Sequence, residues 1–172
     1  MEFFVRAVRT LSVATGLLAA AAVVAAVVVV CQMVIWRYFL QASTVWQTEF
    51  VTFSIVGATF IGSPYVLLTK GHVNVDLLPH FLSHRKRMIL AYVASIMGLT
   101  FCVVLAWTGW VYLHEAIAGG WRTDTVWSLP LWIPIWPLPV GMTLLALQYV
   151  ADILCLATGR EMPFGMSPEH EA

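Results

Sequence analysis

The side chains able to do chemistry are few, and most are gathered in one stretch, Lys70 to Arg87. It holds Lys70, Arg85, Lys86 and Arg87 of nine basic residues, and His72, His80 and His84 of five histidines. His80 and His84 are one helical turn apart, a spacing that can turn two imidazoles toward one metal ion. No cysteine or carboxylate stands at a spacing that completes such a site, so no metal is expected. A haem held by two histidines needs ring nitrogens that face each other inside a bundle. His72 and His114 instead flank opposite ends of an apolar run, and no cofactor is expected. The carboxylates nearest to apolar sequence are Glu49, which could serve a small multidrug-type exporter, and Asp152, four residues after Gln148. Cys31, Cys102 and Cys155 all fall within apolar runs, an odd set with no pairing pattern that reads as small hydrophobes. No catalytic constellation is read from the chain, and no enzymatic activity is expected.

What must position these groups is a membrane. The 172 residues are 60% hydrophobic and 10% charged, whereas charged residues make up about a quarter of a soluble domain. Uncharged runs predict four spanning helices over about 11–36, 50–69, 88–113 and 131–156, in one all-α membrane domain covering 1–172. Each meets the length of about 20 residues that a hydrocarbon core of about 30 Å requires. The first run is too long for the 7–15-residue core of a signal peptide, so it reads as a retained span after a short head. Its Ala- and Val-rich middle suits close helix packing. Pro64 predicts a kink in the second span. Prolines 130, 134, 137 and 139 predict an extended or kinked start to the fourth, with regular helix from about Pro137 to Pro139. A polar tail occupies 159–172.

Charge asymmetry sets the orientation. The head, the 70–87 connector and the tail share Arg6, Arg9, Lys70, Arg85, Lys86, Arg87 and Arg160, while the two other loops hold only Arg37 and Arg122. Short loops rich in Lys and Arg stay inside, so both termini are expected in the cytoplasm. All eight tryptophans, at 36, 46, 107, 110, 121, 127, 132 and 136, then fall in the outer half or outer loops. An ordinary aromatic belt marks both interfaces, so the bias suggests an outer surface that meets a partner. Within the connector, Asp76 can cap a short amphipathic helix over about 77–87. Leu77, Leu78, Phe81 and Leu82 would line its apolar face, and Arg85, Lys86 and Arg87 would lie at its end. Such a helix lies in the inner interface, where each cation gains about 1 kcal/mol from anionic lipid.

Several features in order resemble a known family. They are Arg37 after the first span, Trp46-x-x-Glu49 opening the second, Gly71-His72-Val73-x-Val75-Asp76 after it, and a proline-rich approach to the fourth with Pro139-x-Gly141. Together they resemble the small membrane subunit (DctQ-like) of tripartite ATP-independent periplasmic (TRAP) transporters, from about Arg6 to Leu156. The resemblance implies a multi-pass protein of the bacterial inner membrane, here a separate polypeptide because the chain stops just after its fourth span. It also implies two partners, a large sodium-coupled elevator subunit and a periplasmic substrate-binding protein, besides membrane lipids. The substrates implied are organic acids such as dicarboxylates, sugar acids or sulfonates. No nucleic acid is expected as a partner. Arg37, Trp46, Glu49, Gly71, His72, Asp76, Pro139 and Gly141 are then the residues for contact with the large subunit or for shaping the fold. Glu49 could pair with Arg37 or with a basic residue of the large subunit, or stand as an interfacial carboxylate with no strong partner. Trp121, Arg122 and Asp124 are candidates for touching the binding protein.

Overall fold

The computed structural model describes residues 2–41, 43–69, 84–125 and 127–158, with only the backbone described for 84–87. Five helices follow in order: α1 Glu2–Phe39, α2 Val45–Leu68, α3 His84–Ala118, the single turn α4 Trp132–Ile135, and α5 Pro137–Ala157. Four of these segments are long and apolar enough to cross a membrane. Among the described residues the extended structure amounts to one isolated antiparallel bridge, Arg122 to Pro130.

The helices overrun the uncharged runs. The 38 residues of α1 extend about 57 Å at 1.5 Å per residue, well beyond a core of about 30 Å. Neither proline nor glycine precedes Gly16, so the basic head continues the helix rather than preceding it. Trp46 to Glu49, expected in a loop of residues 37–49, lies in the first turns of α2, and the true connection is residues 40–44. Charge marks where lipid ends, while backbone hydrogen bonding carries the helix on into water. Pro64 sits inside α2, which continues through it to Leu68. Its ring is buried among the most enclosed side chains of the protein.

The connector from Lys70 to Ser83 lies outside the described residues, and with it Gly71, His72, Asp76, His80 and the start of the expected interfacial helix. The last four positions of that expected helix, 84–87, are instead the first turn of α3, which runs unbroken into Met88. Arg85, Lys86 and Arg87 therefore open a long helix rather than close a short one. The helix dipole opposes cations at that end by a few tenths of a kcal/mol, less than the gain from anionic lipid.

The bundle is an open row. Helix α1 packs along α2, α2 against α5, and α5 against α3, with α1 also reaching α5. Helix α5 is thus central, and small residues set its approach. Pro139 is fully buried, and a Cβ added at Gly141 would collide with the Phe60 carbonyl of α2. Only glycine permits that crossing. Cys102 and Ala106 of α3 and Met142 and Leu145 of α5 form the core, with Phe60, Leu67 and Tyr149 packed around them.

The flanks are left bare. Leu17 of α1 and Trp107 of α3 are each 73% exposed, and Met97 and Phe101 follow them along the outer face of α3. In water such surface would drive aggregation; against lipid tails it costs nothing, and association there must come from packing and polar contacts. The Ala- and Val-rich middle of α1 does both jobs. Ala19 meets Gly62 of α2, while Val24, Val27 and Val28 stay exposed.

Candidate functional site

One end of the bundle carries the 40–44 connection and the 119–131 loop, and most of the polar side chains of interest converge there. Helix α3 ends in a paired hydrogen-bond closure, Trp121 N–H to the Ala116 carbonyl (3.1 Å) and Gly120 N–H to that of Ile117 (3.2 Å). Gly120 supplies the required left-handed turn at φ 58°. The loop then doubles back on itself. Thr123 N–H donates to the Leu129 carbonyl and Leu131 N–H to that of Trp121, both at 2.9 Å. Thr123 Oγ1 accepts from Leu129 N–H at 2.9 Å, and Arg122 Nη1 donates to the Ser128 carbonyl at 3.3 Å. The loop is fastened to α2 where Trp127 meets Trp46 edge to face, centroids 6.3 Å apart.

Beside it lies an open groove of about 760 Å³, lined by Arg37, Thr44, Thr48, Glu49, Asp124 and Thr125 among others. Thr44 stands at the N-cap of α2, but its hydroxyl makes no capping bond. Thr44 Oγ1, Gln47 Oε1 and both carboxylate oxygens of Glu49 are buried without a hydrogen-bond partner among the described residues. Of the partners open to Glu49, Arg37 does not pair with it, although both line the same groove. Arg37 ends α1, exposed, where its charge suits the helix dipole. Trp121, Arg122 and Asp124 are all exposed on the loop. Trp121 leans on Tyr112, centroids 5.9 Å apart.

A second polar group lies toward the opposite end, between α1 and α5. Ser12 Oγ donates to Gln148 Oε1 and Gln148 Nε2 donates to Asp152 Oδ1, each at 2.9 Å. Gln148 is wholly buried and Ser12 nearly so. The spacing of Gln148 and Asp152 was visible in sequence. Ser12, 136 positions away, was not, because nothing local marks which serine a distant helix will meet. Thr44 and Gln47 were also missed; a polar Thr-Val-Trp-Gln run opening an apolar helix was the available signal. An apolar groove of about 400 Å³, lined by Leu18, Phe53, Gly57, Ile61, Trp127 and Trp136 among others, runs between α1 and α2 toward the start of α5.

The sites placed in sequence thus divide. Arg37, Trp46, Glu49, Trp121, Arg122 and Asp124 gather at the two-loop end, while Pro139 and Gly141 are buried at the crossing of α5 with α2. The DctQ-component family profile of tripartite ATP-independent periplasmic transporters matches residues 26–159, which take in all of these, the end of α1 and the whole of α2 to α5. The chain belongs to this DctQ family. It is a component of a membrane transporter rather than an enzyme, and a multi-pass protein of the bacterial inner membrane. It is also similar to the C4-dicarboxylate TRAP transporter small permease protein DctQ of Vibrio cholerae serotype O1. Identity is 26% over 148 residues, covering 74% of this chain and 64% of that relative. The chain therefore spans just under two thirds of that protein. Pro139 and Gly141 are buried in the packing of α5, while Arg37, Arg122 and Asp124 are exposed at the two-loop end.

Proposed function

We propose that this chain is the small, non-catalytic permease subunit of a sodium-coupled, binding-protein-dependent TRAP importer of organic acids. It works as a scaffold beside a large elevator subunit and a periplasmic binding protein. The observation that carries the scaffold role is the placement of charge. Between Arg9 and Arg37 in α1, Glu49 and Leu68 in α2, Met88 and Leu113 in α3, and Pro137 and Ala151 in α5, no residue is charged. A path for an ionic solute calls for charged groups or broken helices at mid-membrane depth, and these segments hold no charged residue. The bare flanks of α1 and α3 supply broad apolar faces for a neighbouring membrane subunit or lipid. The relative's name supports a dicarboxylate or related carboxylate as cargo. The charge count of the loops supports cytoplasmic termini, with the two-loop end in the periplasm.

The test is uptake in vesicles holding the large subunit and the sodium gradient, with binding protein outside, measured with and without this chain. Uptake is expected only when the chain is present; equal uptake in its absence refutes the requirement. For orientation, a single cysteine at Thr125 is expected to react with an impermeant thiol reagent in spheroplasts, and one at Thr158 to be protected. The reverse pattern overturns the topology.

A further inference from the structure

Helix α2 contributes most of the apolar groove, with α1 along one side and the long loop and the start of α5 along the other. Gly57 and Ala58 of α2 are buried, while Leu18 of α1 is 65% exposed, so the groove opens sideways to lipid. Along α2 it runs from Phe50 to Ile61, about 17 Å at 1.5 Å per residue. A helix seated in it over that length, about 10 Å across, would need about 1,300 Å³; the groove holds about 400 Å³. An unbranched hydrocarbon chain is only about as thick as one carbon–carbon contact, about 4 Å, and can follow such a slot.

The end of the groove at the long loop identifies the rest of the occupant. Trp127 and Leu129 line it there, and tryptophan sits at headgroup depth. Between them, the Ser128 carbonyl accepts from Arg122 Nη1 at 3.3 Å. That bond sets an exposed guanidinium beside the rim, with N–H donors to spare for an anion. Arginine takes phosphate oxygens through this planar fork. Asp124, the one acidic residue of the loop, lines the other groove instead. We infer that this end of the bundle holds one membrane phospholipid, its phosphate on Arg122 and one acyl chain in the groove. The two contacts contribute differently. Bulk lipid tails are as apolar as the groove, so the chain gains only packing by entering it. The charge-assisted bond to the phosphate supplies the retention. The inference rests on the membrane location of the chain and not on the role proposed above.

For the test, the full chain with its bound neighbours is purified in detergent, washed until its phospholipid content is constant, and weighed intact by native mass spectrometry. Ala22→Phe, which fills the groove, is expected to remove one phospholipid per copy of this chain. Val24→Phe, on the exposed face of α1, is expected to remove none. Palmitoyl-oleoyl phosphatidylglycerol is then titrated back into the washed protein. Arg122→Gln, on an exposed loop, is expected to raise its half-saturating concentration about tenfold or more. Added salt is expected to weaken the native protein more than this variant. A phospholipid count that Ala22→Phe leaves unchanged overturns the groove as the acyl site, and unchanged affinity in Arg122→Gln overturns the phosphate contact. Equal binding of glycerol phosphate, which has no acyl chain, would make this a free-phosphate site and overturn the proposal. So would loss of a co-purifying membrane protein on Ala22→Phe with the phospholipid count unchanged, since the occupant would then be a protein neighbour.

Discussion

Replacing Gln148 with leucine keeps most of the side-chain volume and removes both of its hydrogen bonds. The first, from Ser12 Oγ at 2.9 Å, joins α1 to α5; the second, to Asp152 Oδ1 at 2.9 Å, stays within α5. Interhelical hydrogen bonds in membranes average about 0.6 kcal/mol and reach about 1.7. Gln148 and Ser12 are almost completely enclosed, so this bond belongs near the upper end. An i,i+4 side-chain bond adds a few tenths of a kcal/mol. The single substitution is therefore expected to cost about 1–2 kcal/mol. Ser12 can recover part of this by turning its hydroxyl to a carbonyl of the preceding turn. The pairwise term is isolated by a double-mutant cycle of Ser12→Ala with Gln148→Leu, read by reversible unfolding in mixed micelles. The coupling expected is about 1 kcal/mol. If the two substitutions add to within about 0.3 kcal/mol, the claim that this contact ties α1 to the central helix is wrong.

Four further substitutions test packing and backbone conformation. Gly141→Ala sets a methyl against the Phe60 backbone and is expected to cost about 1–3 kcal/mol. Gly57→Ala, whose Cβ would stand 3.5 Å from Pro137 Cγ, is expected to be neutral or to gain up to about 1 kcal/mol from helix propensity. Thermal unfolding of the two variants side by side checks the order, and equal midpoints would refute the close crossing of α5 and α2. Gly120→Ala meets no neighbour but must hold φ 58°, costing about 1–2 kcal/mol. Faster amide exchange at Trp121 and Leu131 is the readout. Trp127→Ala removes an edge-to-face pair worth about 0.5–1.5 kcal/mol and is expected to speed proteolysis within 121–131; an unchanged cleavage rate would show that Trp46 does not anchor the loop.

Much of the fold is legible in the residues because a bilayer reduces the problem to one dimension. Apolar length alone marks four spans, and the order of Arg37, Trp46, Glu49, the Gly71 to Asp76 motif, Pro139 and Gly141 along them carries the family resemblance. Helix ends are less legible. Glu2 to Thr10 and Trp46 to Glu49 are helical beyond the lipid-length runs, because a backbone ladder needs no apolar side chains to continue into water. The site is legible only in part. Glu49 and the loop residues Arg122 and Asp124 stand out as charges beside apolar sequence, but Arg37, the partner for Glu49 that the chain itself offers, does not pair with it in the tertiary structure.

The composition and charge pattern by themselves determined an all-helical membrane protein with its charge at the span ends, since each follows from local transfer free energy. The order of helices in the row, with α5 between α2 and α3, came only from tertiary structure. So did the Ser12–Gln148 link and the orphaned oxygens of Thr44, Gln47 and Glu49. These depend on which distant backbones can approach one another. A lipid-facing and a helix-facing valine are equally apolar, so hydropathy carries no record of the difference. Small residues such as Gly141 permit the approach, but only the assembled bundle decides what they meet.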